Sequence, residues 1–95
     1  MSAYIVVNIN ITDADGYQAY QRLATPTVEQ YDGRYLVRGG RVEVLEGGWC
    51  PARYVILEFP TLERAREWWN SPEYLPLRAI RQRTAESSMI VVEGC

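Results

Sequence analysis

Tyr4-Ile5-Val6-Val7-Asn8-Ile9-Asn10-Ile11 decides the fold. Ile5, Val7, Ile9 and Ile11 fall on one face of a two-residue period, and Tyr4, Val6, Asn8 and Asn10 on the other, which is a β-strand. Its second face is only half polar, so the strand has apolar residues to bury on both sides. Arg53 to Phe59 behaves the same way. If Val55, Leu57 and Phe59 join Ile5 and Val7 under a layer of helices, Tyr54 and Ile56 join Tyr4 and Val6 on the far side. Leu36 and Val91 are expected to extend that far face.

The segments between these strands read as helices. Asp13 is an N-cap with Asp15 in the first turn, and Tyr17, Tyr20, Leu23 and Ala24 are spaced for one helix face. Thr25-Pro26 is expected to interrupt this helix and restart it, with Val28 and Tyr31 continuing its apolar side. Asp32-Gly33 ends it, with Gly33 in the left-handed closing position. Arg34 to Glu46 reads as strand broken by Gly39-Gly40, and Glu46 to Pro51 as loop. Thr61 caps a helix through Leu62, Ala65, Trp68 and Trp69. Asn70-Ser71-Pro72 breaks it, and helix resumes over Leu77, Ile80 and Arg81. Ser87 to Glu93 is the last strand. The order is that of an α+β, ferredoxin-like βαββαβ sandwich with an antiparallel four-stranded sheet.

Ninety-five residues make one domain, 1–95, and its composition of 47% hydrophobic and 23% charged residues is that of a folded chain. The net charge is −2 and the ten basic residues, all arginine, are interleaved with acidic ones. Neither a nucleic-acid stripe nor a membrane span is present in that pattern. No signal peptide precedes the first strand, so a cytoplasmic location is the expectation. Histidine is absent and the two cysteines, Cys50 and Cys95, are far apart. No metal site and no cofactor are therefore expected.

Two helical blocks cover one face of a four-stranded sheet. The six apolar residues assigned to the other face are worth roughly 1.5–3 kcal/mol each on burial. Together they give a gross gain of about 10 kcal/mol per subunit, before the costs of association. A homodimer joined through the sheet faces is the simplest closure.

Gly33 to Gly40, Val55 to Ala65, Trp68 to Tyr74 with Arg78 and Arg81, and Val91 to Gly94 together resemble a bacterial family, domain of unknown function 1330. The resemblance implies a ferredoxin-like fold of the dimeric α/β barrel type, whose subunits meet through their sheets. It implies no activity. Relatives of that architecture include small monooxygenases and haem-degrading enzymes, and the lack of histidine speaks against a haem-degrading site here.

Polar residues on apolar elements are the candidate site. Asn8 lies on the far face of the first strand. Glu58 shares the parity of Tyr54 and Ile56, and Arg38, if register permits, meets Glu58 beside Asn8. Such a pair would hold a carboxylate or enolate-like ligand, position Glu58 as a base, or stand as a structural ion pair. Tyr17 and Tyr20 are one turn apart and line a cleft or fill the core. Trp68 and Tyr74 belong to an aromatic cluster at the helix break, with core packing the bland alternative. Arg78, Arg81 and Arg83 read as a solvated helix face, with Arg78 able to reach an anion. Ser71 is a helix cap. Two functions are compatible with these residues: a small-molecule ligand bound in a pocket between sheet and helices, or a non-catalytic dimeric structural or stress-related module with a filled interior.

Overall fold

The computed structural model describes residues 1–95. The elements are β1 (Ala3–Ile11), α1 (Ala14–Gln30), β2 (Arg34–Arg38), β3 (Arg53–Phe59), α2 (Leu62–Trp69), α3 (Leu75–Thr84) and β4 (Ala85–Glu93). The four strands form one antiparallel sheet in the order β2-β3-β1-β4. The result is the ferredoxin-like sandwich, with its second helical block divided into α2 and α3. No helix is long and apolar enough to cross a membrane.

β1 sits inside the sheet and fixes the facing of its neighbours. Ile5, Val7 and Ile9 lie opposite Leu57, Val55 and Arg53 of β3. On the other side they lie opposite Val91, Met89 and Ser87 of β4. This face carries the helices. Ile5, Val7, Ile9, Val55 and Leu57 are buried there with Val28 of α1, Trp68 of α2 and Leu77 of α3.

The other face is uncovered. It presents Tyr4, Val6 and Asn8 of β1, Tyr54, Ile56 and Glu58 of β3, and Ile90 and Val92 of β4. Ile90 is 62% exposed. Val91, expected here, pairs with Ile5 and therefore points to the helix side. Ile90 and Val92 take the positions expected of it.

The dimeric α/β barrel implied by the resemblance is corrected. The sheet is open, with β2 and β4 as unpaired edges at its two ends. Four strands are too few to tilt around and meet.

Three further expectations change for local reasons. α1 runs through Pro26 without a break, its C-cap at Tyr31. The proline removes one helical hydrogen bond, but Thr25 Oγ1 donates to the Gln21 carbonyl and the buried Thr27 and Val28 anchor the next turn. At the helix end Asp32, not Gly33, takes the left-handed conformation, at φ 66°. β2 stops at Arg38 rather than Glu46, because Gly39 turns the chain at φ 67°. Residues 39–52 have neither helix nor ladder, and Val44, Leu45 and Trp49 in this arm are exposed.

Gly33 is needed for space. A Cβ there would stand 2.6 Å from the Phe59 ring and 2.9 Å from Val28 Cγ1, both in the core. Gly33→Ala is expected to destabilise the fold by about 1–3 kcal/mol, the cost of overpacking, measured as a lowered urea midpoint at unchanged slope. An unchanged midpoint would show that β2 moves freely away from the core.

Candidate functional site

Where the helix-facing sides of β1, β2 and β3 approach α1 and α3, the core changes from aliphatic to polar. Tyr17, Tyr20 and Gln21 of α1, Tyr35 and Arg38 of β2, Arg53 of β3 and Arg81 of α3 surround a narrow cavity of about 30 Å³. Its floor is Val7, Ile9, Val55, Leu57, Trp68 and Met89. This volume is enough for one water-sized group as the side chains stand; a larger molecule needs the exposed Arg38 and the half-buried Tyr35 at the mouth to swing outward. The cavity lining holds three guanidinium groups and no carboxylate.

A β-bulge brings Arg38 here. Tyr35 pairs with Leu57 and Val37 with Ile56, so Leu36 is the extra residue. A bulge reverses the facing of the residues beyond it, which puts Arg38 opposite Val55 on the helix side. Its guanidinium lies 3.6 Å above the Tyr35 ring, and Nη2 donates to Thr25 Oγ1 at 2.9 Å. Arg38 is exposed and stands at the cavity mouth.

Arg81 is at the inner end and is 3% exposed. Its Nη1 donates to Ser87 Oγ at 3.3 Å, while its Nε is buried without a hydrogen-bond partner. Arg53 Nε is likewise buried and unpartnered. The ion pairs of the protein are Arg34–Glu58, Arg64–Asp32 and Arg64–Glu67. None involves a cavity arginine.

The tyrosines supply hydroxyls. The Tyr20 and Tyr74 hydroxyls are 2.8 Å apart and share one hydrogen bond. Tyr74 stacks on Trp68 with centroids 4.0 Å apart, and the Trp68 Nε1–H donates to Thr27 Oγ1. Burial pushes the Tyr20 and Tyr74 hydroxyls above the ordinary tyrosine pKa. Burial also raises Tyr17, against the opposing pull of Arg53. At neutral pH all three are hydrogen-bond donors.

Of the residues singled out in the sequence, Tyr17, Tyr20, Arg38 and Trp68 meet around this cavity, with Tyr74 directly behind Tyr20. Asn8 and Glu58 are on the uncovered face. Glu58 accepts from Arg34 Nε at 2.6 Å, which holds its carboxyl below the usual range. The conditional pairing of Arg38 with Glu58 does not form, because the bulge puts them on opposite faces. Arg78 packs over Trp69 at 4.3 Å and donates to its carbonyl, outside the cavity. Sequence reading missed Arg53, Arg81 and Tyr35. Both arginines carried a signal: Arg53 has the parity of Val55 and Leu57, and Arg81 is four residues after Leu77, on the apolar side of α3.

Another hollow, about 120 Å³, lies between α2 and β4 and is lined by Ile5, Ala65, Trp69 and Met89 among others. It is almost wholly apolar and has no convergent donors with which to orient a ligand.

Fold and site together define a small α+β protein with an open ferredoxin-like sheet and a small, arginine-lined cavity beneath it. The chain belongs to the family described as Domain of unknown function (DUF1330), whose profile matches residues 2–95. No curated protein matches it. Among solved structures, a protein of unknown function from Rhodopseudomonas palustris is similar at TM-score 0.79 and 20% identity, over 99% of this chain and 82% of that one. SnoaB, a cofactor-independent oxygenase from Streptomyces nogalater, is similar at TM-score 0.69 and 8% identity, over 99% and 93%. A putative antibiotic biosynthesis monooxygenase from Nitrosomonas europaea is similar at TM-score 0.62 and 17% identity, over 99% and 98%. These likenesses are of fold.

The raised tyrosines link stability to alkaline pH. Unfolding restores the ordinary value of about 10, so above that pH the unfolded chain releases protons the native state retains. Their contribution is whole below about pH 10 and is lost progressively above it. Urea midpoints between pH 8 and 11 are expected to fall steeply past pH 10, and less steeply in Tyr20→Phe. Equal slopes in both proteins would mean that Tyr20 ionises normally.

Proposed function

We propose that the protein binds a small organic molecule in the cavity between the sheet and helices α1 and α3. The observation that carries this is the convergence of Tyr17, Tyr20, Arg38, Arg53 and Arg81 on an otherwise apolar hollow. A few directed polar groups in an apolar surround are how proteins orient small ligands. A structural module needs only a filled interior, whereas here two buried guanidinium Nε atoms lack partners. Similarity in fold to an oxygenase described as cofactor-independent supports a small-molecule site on this scaffold, with recognition resting on side chains of the chain itself.

Trp68 reports on the cavity. Its indole N–H should shift in nitrogen-proton spectra when fragments from a mixed neutral and charged panel are added at millimolar concentration. The indole of the distant, exposed Trp49 should stay in place. Arg38→Ala, which changes only the mouth, is expected to weaken such binding about tenfold, the scale of one charge-assisted contact, with little loss of stability. If no fragment moves the Trp68 signal, the pocket reading is wrong.

The working form is a homodimer joined across the uncovered sheet faces. The subunit is a slab measuring 35 × 35 × 16 Å, one sheet and one helix layer thick. Its broad face exceeds the about 800 Å² that each partner contributes to a stable interface. Tyr4, Val6, Ile56, Ile90 and Val92 line it, and Trp49 of the 39–52 arm packs edge-on against Tyr54 at its end. A second copy covers this face with the same apolar residues and leaves both sheets open. Sedimentation equilibrium should give twice the 10.9 kDa subunit mass, and Ile56→Glu should give the single subunit. A wild-type monomer at micromolar concentration would overturn the assembly while leaving the pocket standing.

A further inference from the structure

Resting on the pocket reading above, we infer that the ligand is a small monocarboxylate, bound with its head group against Arg81 and its apolar part directed toward the mouth. The cavity carries an imbalance of charge. A guanidinium stays protonated inside a protein, so burial cannot neutralise it. Buried charges are accordingly found paired, because an unpaired one is costly. Arg81 is 3% exposed, has one long hydrogen bond to a neutral serine hydroxyl and a distant approach to the Trp69 ring at 5.7 Å, and has no carboxylate. Arg53 nearby is half-buried, with its guanidinium 5.9 Å from the Tyr17 ring centroid and its Nε buried and unpartnered. Arg38 adds a third positive group at the entrance.

The surroundings select the anion. Arginine presents parallel N–H donors that match the two oxygens of a planar carboxylate. The narrow inner space suits a small head group. Tyr20 completes the donor set: when Tyr74 donates to Tyr20, the Tyr20 hydrogen is free for the ligand. Beyond the head group the walls are Val55, Leu57 and Met89, with Tyr35 at the mouth. As they stand these walls enclose room for only a water-sized group, so an aromatic or short aliphatic body is admitted only when the exposed Arg38 and the half-buried Tyr35 at the mouth swing outward. None of the remaining acidic residues lines the cavity, so the missing counter-charge has to arrive with the ligand.

The test compares benzoate with benzamide, which has nearly the same shape without the charge, and with phenyl phosphate, using the full chain and isothermal titration. Benzoate is expected to bind at least about tenfold more tightly than benzamide, and phenyl phosphate more weakly than benzoate. In Arg81→Met, which keeps the length of the side chain and removes its charge, benzoate and benzamide are expected to bind equally. The same variant should melt at a higher temperature than the ligand-free wild type, since it removes an uncompensated buried charge. An arginine with a purely structural role would give a lower melting temperature. Equal binding of benzoate and benzamide by the wild type would overturn the carboxylate assignment, even where neutral fragments still move the Trp68 signal. Tighter binding of phenyl phosphate would replace carboxylate by phosphate. An Arg81→Met protein that still prefers benzoate would overturn the role of Arg81. If the variant fails to fold, the wild-type comparison decides the ligand class alone. Absence of binding by all three probes overturns the assignment, and the fragment titration then decides whether the pocket itself survives.

Discussion

The structure depends on the pairing of β1 with β3 on one side and β4 on the other. Both registers place Ile5, Val7 and Ile9 on the same face as Val55, Leu57 and Met89. A slip of one residue in either ladder would turn a whole strand over and put its apolar set on the wrong side. With the registers fixed, α1, α2 and α3 have one continuous apolar surface to cover. Trp68, Tyr74 and Phe59 fill the space between, each almost wholly buried. The opposite face is set by the same pairing. Its Tyr4, Val6 and Ile56 are the alternate residues of the same strands, so this chain cannot form its core without leaving a second apolar surface.

The candidate site lies where that aliphatic order ends. Arg53 occupies a helix-facing position at the start of β3, next to Val55 in the same parity. Arg81 occupies an apolar-side position of α3, and the bulge at Leu36 turns Arg38 inward. Each of these breaks the local rule for a core position, and they break it in one place. Stability alone would favour aliphatic residues there, because a buried guanidinium without a partner opposes folding. Conflicts of this kind between local pattern and global fold concentrate at functional sites. Tyr17, Tyr20 and Tyr74, held protonated by burial, belong to the same polar patch.

Much of the fold is legible in the sequence. The two-residue alternation over 4–11 and 53–59 and the caps at Asp13 and Thr61 correspond to features of the structure, whereas Ser71 closes only the turn before α3, whose N-cap is Tyr74. Asp13 accepts from the Gly16 N–H, Thr61 from Arg64 and Ser71 from Tyr74. The features that were not legible depend on tertiary context. The bulge at Leu36 has no local signature, yet it decides the facing of Arg38 and removes the pairing with Glu58. Residues 41–46 alternate like a strand but have no neighbouring strand to pair with in this chain. Pro26 does not break α1, because Thr27 and Val28 beyond it are held by the core. Arg81 looked like surface because arginine usually is; its spacing from Leu77 pointed inward, and the spacing prevailed. The α+β reading from alternation therefore stood, while the barrel implied by the family resemblance fell, because the four strands end in two unpaired edges.

In the proposed bound state a small anion completes the charge of this cavity. Anomalous diffraction from crystals soaked in para-iodobenzoate tests it most directly. A single strong iodine peak at the cavity mouth near Tyr35, with carboxylate density against Arg81, is the predicted result. Iodine found only on the outer surface, with Arg81 unchanged, would contradict it.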